Sequence, residues 1–535
     1  MLSATYREVN RSVCRATSSS RSDSVWAGLW GWGSGRPTSF IGRPQRVPSQ
    51  GHSARPPPTR SHTDARRASL PDGGATMPWN RTGARSRASG SGPSGRAESR
   101  RATAYAKGVV MVEVLTGINV VELAGALQGP AAAGYLRDMG AEVIKVEPPE
   151  GDASRYHRGV NNFTPPGTLG AQFIHANKGK RTITVDANSD DGRAVIHKLV
   201  AGADVFLTNF RESSLERMGY GYEELRAIKP DLIYAAGNGF GPVGPDAEKG
   251  MVDGAGMARG GLMHMTGPRD GAPMLPGAVL ADMAGAMQLA LGVVTALLGR
   301  ELHGIAQKVN NSSYGAQIWL QAWEIQQAAM TGNPLKRDGA HHPNLPGMYG
   351  IYATADGEAL FLAFHMTEES WQSFCNFAGM PEIGTDERWN AVTKRMGMGG
   401  DAEGKMAAQI RPYMTRAIAS KTMAEWLEFL ESEPEIIYNR VCDHQDVLDD
   451  PQALENGYIQ EVDVDMIGST KVVGPTITLS ETPGSIKGSP PQLGQHTEEI
   501  LLELGYDWDD IVRINDHSRQ MLRQKFIALG MEPPF

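Results

Sequence analysis

From residue 117 onward, apolar and polar positions follow two distinct periods. Short apolar runs closed by turn residues predict strands at GINVVEL (117–123), AEVIKVE (141–147), RTITVDA (181–187), DVFLTNF (204–210) and DLIYAAG (231–237). Between them, PAAAGYLRDMG (130–140), DDGRAVIHKLVAGA (190–203) and SLERMGYGYEELRAI (214–228) repeat apolar residues three and four apart, which predicts helices. Strands alternating with helices of this length predict parallel crossover units and a doubly wound α/β sheet. Ligands of such sheets lie beyond the carboxyl ends of the strands, so Ala126–Gly129, Asn209–Arg211 and Gly237–Gly241 fall on candidate binding loops.

The longest apolar stretch, MAGAMQLALGVVTALLGR (283–300), predicts a buried core helix. It is broken by Gln288 and Thr295, stops at Arg300, and is marginal in length for a membrane span. Asp282 stands alone at its start, after the apolar approach MLPGAVLA (274–281). By position it reads as a helix cap, with the helix end favouring its anionic form.

Composition divides the chain. Residues 1–107 hold 17 Arg and one Lys against five acids, a surplus of 13 positive charges, so with −8 overall the remainder carries −21. An acidic body argues against a nucleic-acid partner, which needs a basic face. Segments such as RPPPTRSH and RSRASGSGPSGRAESRR lack periodicity, and residues 1–110 are expected to be a disordered Arg/Ser/Gly/Pro-rich extension. Met111 is the favoured start. Organellar targeting by the extension is the less favoured reading, and a cytoplasmic location is expected. Cys14, Cys375 and Cys442 form no CxxC pair, and the adjacent His341 and His342 lack further ligands at suitable spacing, so no metal site and no disulfide framework is expected. The loop GNGFGPVG (237–244) has the glycines of a dinucleotide fingerprint, but Pro242 and Pro245 stand where its helix would run, which excludes NAD.

Motifs in fixed order carry a resemblance. GINVVELAGALQGPAAAGYLRDMGAEVIKVEPPEGDASR, NKGKRTITVD (177–186), DVFLTNFRESSLERMGYGYEEL (204–225), GFGPVGP (239–245), GGLMHMTGPRDGAPMLPGAVLADMAGAM (260–287), HGIAQKV (303–309), MYGIYATADG (348–357), VVGPTITLSETP and LGQHTEEILLELGY span about 111–510. This order resembles the class III CoA-transferase family, which includes formyl-CoA and carnitine CoA-transferases, with α-methylacyl-CoA racemases as relatives. The resemblance implies an acyl-CoA:carboxylate CoA-transferase with Asp282 as the nucleophile, and an aspartyl anhydride and an aspartyl-CoA thioester as intermediates. It implies coenzyme A as part of the acyl-CoA substrate, with no tightly bound cofactor, and a carboxylic acid as acceptor. CoA contacts carry over to Ala126, Leu127 and Gln128 after the first strand, to Lys180, and to Asn209, Phe210, Arg211, Arg217 and Met218. Arg and Lys suit phosphates, while Phe210 and Met218 suit adenine or the pantetheine arm. Read without the family, Arg217 is a helical charge facing Glu212 or Glu216.

The resemblance also implies a Rossmann-like large domain from residues 111–330 and 439–535, a linker at 331–348, and a smaller inserted α+β domain at 349–438. Two such chains would form an interlocked homodimer. Departures separate the branches. The racemases' His before an Asp falls on Val252 in GMVD, and their Glu falls on Met366, beside His365. Proton removal and return at an α-carbon needs two positioned acid/base groups, so the racemase is the alternative reading. A non-catalytic CoA-binding protein is the second alternative. A basic CoA contact of the formyl-CoA transferases falls on Pro148, and a lysine contact on Gly250, with Lys249 adjacent. Met251, Met257, Met263, Met265 and Met274 read equally as an acyl pocket or as core.

Overall fold

The computed structural model describes residues 112–157, 159, 169–345, 347–363, 366–397, 401–465, 467–530 and 532, with the backbone alone at 401–404. The extension expected over 1–110, and His365, lie outside these residues.

The large sheet has six strands: β1 (Asn119–Leu123), β2 (Glu142–Glu147), β3 (Arg181–Thr184), β4 (Val205–Thr208), β5 (Ile233–Asn238) and β6 (Lys308–Ser312). Their spatial order is β3-β2-β1-β4-β5-β6 and every pairing is parallel. The mixed α/β class expected from the alternating pattern is therefore present, and the order reverses between β1 and β4. That reversal opens a crevice above the carboxyl ends of these two strands.

The helices of this part are α1 (Gln128–Asp138), α2 (Ala171–Asn177), α3 (Asp190–Ala201), α4 (Glu212–Met218), α5 (Tyr222–Ile228), α6 (Asp253–Arg259), α7 (Leu262–Met265), α8 (Leu280–His303), α9 (Ser313–Leu320) and α10 (Ala322–Thr331). One predicted helix, 214–228, is two. Gly219 takes φ 85°, a left-handed value that favours glycine, and its N–H bonds back to Glu216 to close α4 before α5 begins. Strand β6 was not predicted, because KVNNS carries two asparagines and no apolar alternation.

Each face of the sheet has its own core. On one side α1 and α8 bring Ala131, Ala132, Leu136, Leu289 and Val293 against Val120, Val205 and Ile233. On the other, α3 and α5 join helices Thr497–Glu503 and Trp508–Ala528 over Val121, Phe206 and Tyr234. The inner face of α8 is mostly small, with Ala284, Gly285, Ala286, Ala290 and Ala296, which lets this helix lie close to the strands.

A second sheet, β7 (Gly350–Ala353), β8 (Ala359–Leu362) and β9 (Tyr438–Arg440), is antiparallel and covers a core holding the fully buried Trp371, Trp389 and Trp426. Arg395 is buried within it. Its guanidinium donates to the carbonyls of Trp389 (2.7 Å) and Met366 (2.5 Å) and lies 5.1 Å over the Trp371 ring, and burial pushes its pKa down to about 10. A hairpin of β10 (Ile459–Val464) and β11 (Gly468–Val473) then packs Val464 and Val472 on Phe173 and Ile174 of α2.

Candidate active site

Asp282 is the third residue of α8, so it is not the cap. The N-cap position belongs to Val279, whose side chain cannot accept a hydrogen bond. Asp253, the first residue of α6, caps α8 from outside. Its Oδ1 accepts from the N–H groups of Ala281 (2.7 Å) and Asp282 (3.1 Å). The Asp282 carboxylate instead accepts from the hydroxyl of Ser313 at 3.0 Å. Ser313 is free to donate because its neighbour Ser312 performs the capping of α9, accepting from the Gly315 N–H.

The electrostatics of Asp282 run opposite to the helix-end expectation. Burial raises its pKa first, the neighbouring Asp253 charge raises it further, and only the Ser313 hydrogen bond opposes them. The helix N–H groups nearest to it are already spent on Asp253. A half-buried carboxylate with raised basicity is a better nucleophile than a solvated one.

The crevice between β1 and β4 is tied together by side chains. Asn209 pins the loop after β1 from both sides, accepting from the Gly125 N–H (3.0 Å) and donating to the Gly125 carbonyl (2.8 Å). Ala126 has φ 61°, the one positive value outside glycine among the described residues, and its N–H bonds to Asp152 Oδ1 at 3.2 Å. Such strain, of order 1–3 kcal/mol, persists where surroundings hold it. Asp152 is in turn paired with the fully buried Lys145 (3.0 Å), and Lys145 with Glu122 (2.7 Å). Burial alone would lower the Lys145 pKa, but Glu122, Asp152 and Glu147 raise it above the ordinary lysine value.

Gln128 reaches from this loop toward the first turns of α8, its Nε2 donating to the Asn238 carbonyl (3.4 Å). A Cβ on Gly285, one turn along from Asp282, would stand 2.9 Å from Gln128 Nε2 and 3.0 Å from Ser313 Oγ, so only glycine leaves room for both polar groups there. Phe210 is exposed beside Gly125, with Cε1 3.8 Å from where a Cβ on that glycine would lie. Arg211 is exposed, and its Nη2 lies 2.7 Å from where a Cβ on Gly250 would stand. The positive charge that the resemblance places at 250 is thus supplied in the same space by Arg211.

The structure brings Ala126, Gln128, Asn209, Phe210 and Arg211 to one crevice, and it separates the other sequence-predicted contacts from it. Leu127 is buried in the core below α1, leaving its backbone at the loop. Lys180 is buried, and its ammonium spends three bonds on Glu122 (2.6 Å), the Pro130 carbonyl (2.8 Å) and Asn177 (3.0 Å). Its expected phosphate contact therefore lacks a free donor. Arg217 is exposed and donates to Ser214 Oγ (3.0 Å), not to Glu212 or Glu216. Met218 packs partly into the core on the α3 side. After β5 the glycine loop opens no helix, and the next begins only at Asp253, as the prolines required.

Sequence reasoning missed Asp253, Ser313 and Asp152 as parts of the site. Asp253 was legible only as the residue after Val252. The doubled serine in NSSYG was the available signal for Ser313, and GDAS that for Asp152, whose carboxylate caps a short turn through Ser154.

The model of CoA-transferase family III matches residues 115–497. The chain belongs to CoA-transferase family III. It is a CoA-transferase, of a family whose substrates are CoA thioesters and carboxylates. Curated relatives include a (R)-2-hydroxy-4-methylpentanoate CoA-transferase of Clostridioides difficile, 31% identical over 75% of this chain and 98% of the relative. A succinyl-CoA:glutarate CoA-transferase of Mus musculus is 30% identical over 74% of this chain and 87% of the relative. Among solved structures, a CaiB/BaiF family protein from Brucella suis superimposes with a TM-score of 0.63 at 29% identity, over 74% of this chain and all of that one.

Proposed function

We propose that this CoA-transferase moves CoA from an acyl-CoA to a carboxylic acid through two covalent states of Asp282. The carboxylate attacks the thioester carbonyl, the C–S bond breaks, and an aspartyl anhydride and CoA thiolate result. The thiolate attacks the aspartyl carbonyl of the anhydride, releasing the donor's acid and leaving an aspartyl-CoA thioester. The acceptor carboxylate then attacks that thioester, expelling thiolate and forming a second anhydride. Attack by the thiolate on its acyl carbonyl yields the new acyl-CoA and restores Asp282. No proton is gained or lost in the cycle.

The observation that carries this reading is the placement of Asp282: half-buried, held by Ser313, and joined through Gly285 and Gln128 to the β1/β4 crevice. CoA would lie along that crevice, with Asn209, Phe210 and Arg211 on its edge. The racemase alternative is disfavoured because Val252 is an exposed aliphatic side chain and Met366 is buried in the core of the second sheet. Relatives are named for succinyl donors and for a branched hydroxy acid, so a donor panel spans both. Initial rates at varied donor and acceptor are expected to give parallel double-reciprocal lines; intersecting lines would contradict release of the donor's acid before the acceptor binds.

The working unit proposed is a homodimer. Met287, Leu291, Leu298 and Leu302 form an exposed stripe along the outer face of α8, continued by Trp319 and Trp323, and Leu291 alone is 65% exposed. Exposed apolar stripes that run along a helix suit subunit contacts. Although α8 is long and apolar enough to cross a membrane, its inner face belongs to the sheet's core. Sedimentation of wild type as a dimer is expected, with Leu291→Glu losing thermal stability because the linked chains cannot simply part; a monomeric wild type, or an unchanged Leu291→Glu midpoint, would refute that contact. Two domains, 111–330 with 439–535 and 349–438, supported by the separate cores, and a cytoplasmic setting complete the proposal.

A further inference from the structure

We propose that the acyl group passing over Asp282 is apolar and carries no second charge. This rests on the transferase reading above and concerns the surface beside the same carboxylate. Leu275 Cδ1 and Met263 Cε converge on Gly254, each 3.9 Å from where a Cβ would stand. Gly254 follows Asp253, whose carboxylate bonds to the Asp282 N–H. Val252 precedes that aspartate, and Val279 precedes α8. Val252, Met274, Leu275 and Val279 are 43–54% exposed except Leu275, at 62%, whereas Met257 is buried core. Exposed aliphatic side chains on both approaches to one reactive carboxylate form a surface for a hydrocarbon chain.

Charge points the same way. A free carboxylate on the acyl group needs a cation with spare donors. Arg269 is paired with Asp338 and Arg259 with Asp246, while the exposed Arg211 beside Gly250 is taken by CoA in the reading above. Arg337 donates from its terminal nitrogens to the carbonyls of His264 (2.7 Å) and Gly271 (2.9 Å), and its Nε, which has no partner, is shut off from solvent and out of reach of an acyl carboxylate. The two neighbouring carboxylates, Asp253 and Asp282, repel a third. Each methylene placed on the surface favours binding by roughly fourfold.

The test quenches the full chain after mixing with hexanoyl-CoA or succinyl-CoA and follows CoA-bearing Asp282 by peptide mass. The adduct is expected to form at least about tenfold faster from hexanoyl-CoA, and Leu275→Arg is expected to shrink or reverse that ratio. An adduct on Asp282 forming as fast or faster from succinyl-CoA overturns the inference while leaving the transferase reading intact. No adduct from either donor overturns both. If Leu275→Arg separates the subunits while leaving the ratio unchanged, the surface belongs to a second copy and the inference fails.

Discussion

Asp282→Asn is expected to abolish CoA transfer and, at neutral pH, to make the protein more stable. The amide can still accept from Ser313 through its oxygen, so the local geometry is kept, but it cannot attack a thioester. Loss of a covalent nucleophile lowers kcat by at least about a thousandfold. The stability change follows from the raised pKa of Asp282, caused by burial and by Asp253. The folded chain holds this proton more tightly than the unfolded chain, whose value is the ordinary 3.8, so wild-type stability falls as pH rises from 3.8 through the raised value. Asparagine has no such dependence. Denaturant midpoints should therefore favour Asp282→Asn at pH 7, and the two proteins should converge below pH 3.8. A variant less stable than wild type at pH 7 would contradict this electrostatic account.

Lys145→Met should be among the most destabilising single changes. The ammonium is fully buried between Glu122 and Asp152 and also donates to the Ala124 carbonyl at 2.9 Å. Methionine fills similar volume but leaves Asp152 without its cation and Glu122 with Lys180 alone. Stranding buried charge in this way costs about 3–5 kcal/mol, although replacing a whole network by apolar groups is often neutral. The loss should appear as a lower urea midpoint with unchanged slope. Asp152 also holds the N–H of Ala126, so acyl-CoA KM should rise in whatever fraction remains folded. A midpoint within experimental error of wild type would refute the network's role.

The sequence made the sheet legible because buried parallel strands read as continuous apolar runs, as in NVVEL and VFLT, and because their order in the chain implied crossovers. It hid β6, whose Asn311 belongs to the site and donates to the Gly285 carbonyl at 2.5 Å. Asp282 was legible as a lone carboxylate before an apolar helix, but its cap was not, since Asp253 lies 29 residues earlier and meets it only in the folded chain. Lys180 and Arg211 show the same limit in opposite senses. Both are cations in the right motifs, yet packing buries Lys180 against Glu122 and leaves Arg211 exposed in the space beside Gly250. Residue type and spacing select candidates, and burial decides which of them can meet a ligand.

The most direct measurement is peptide mass mapping of the protein after brief incubation with acyl-CoA donors, including a hydroxylamine-treated arm. A CoA-bearing or hydroxamate-marked peptide centred on Asp282, absent from Asp282→Asn, is the predicted result. Turnover without any modification of Asp282, or an adduct that persists in Asp282→Asn, would contradict the account.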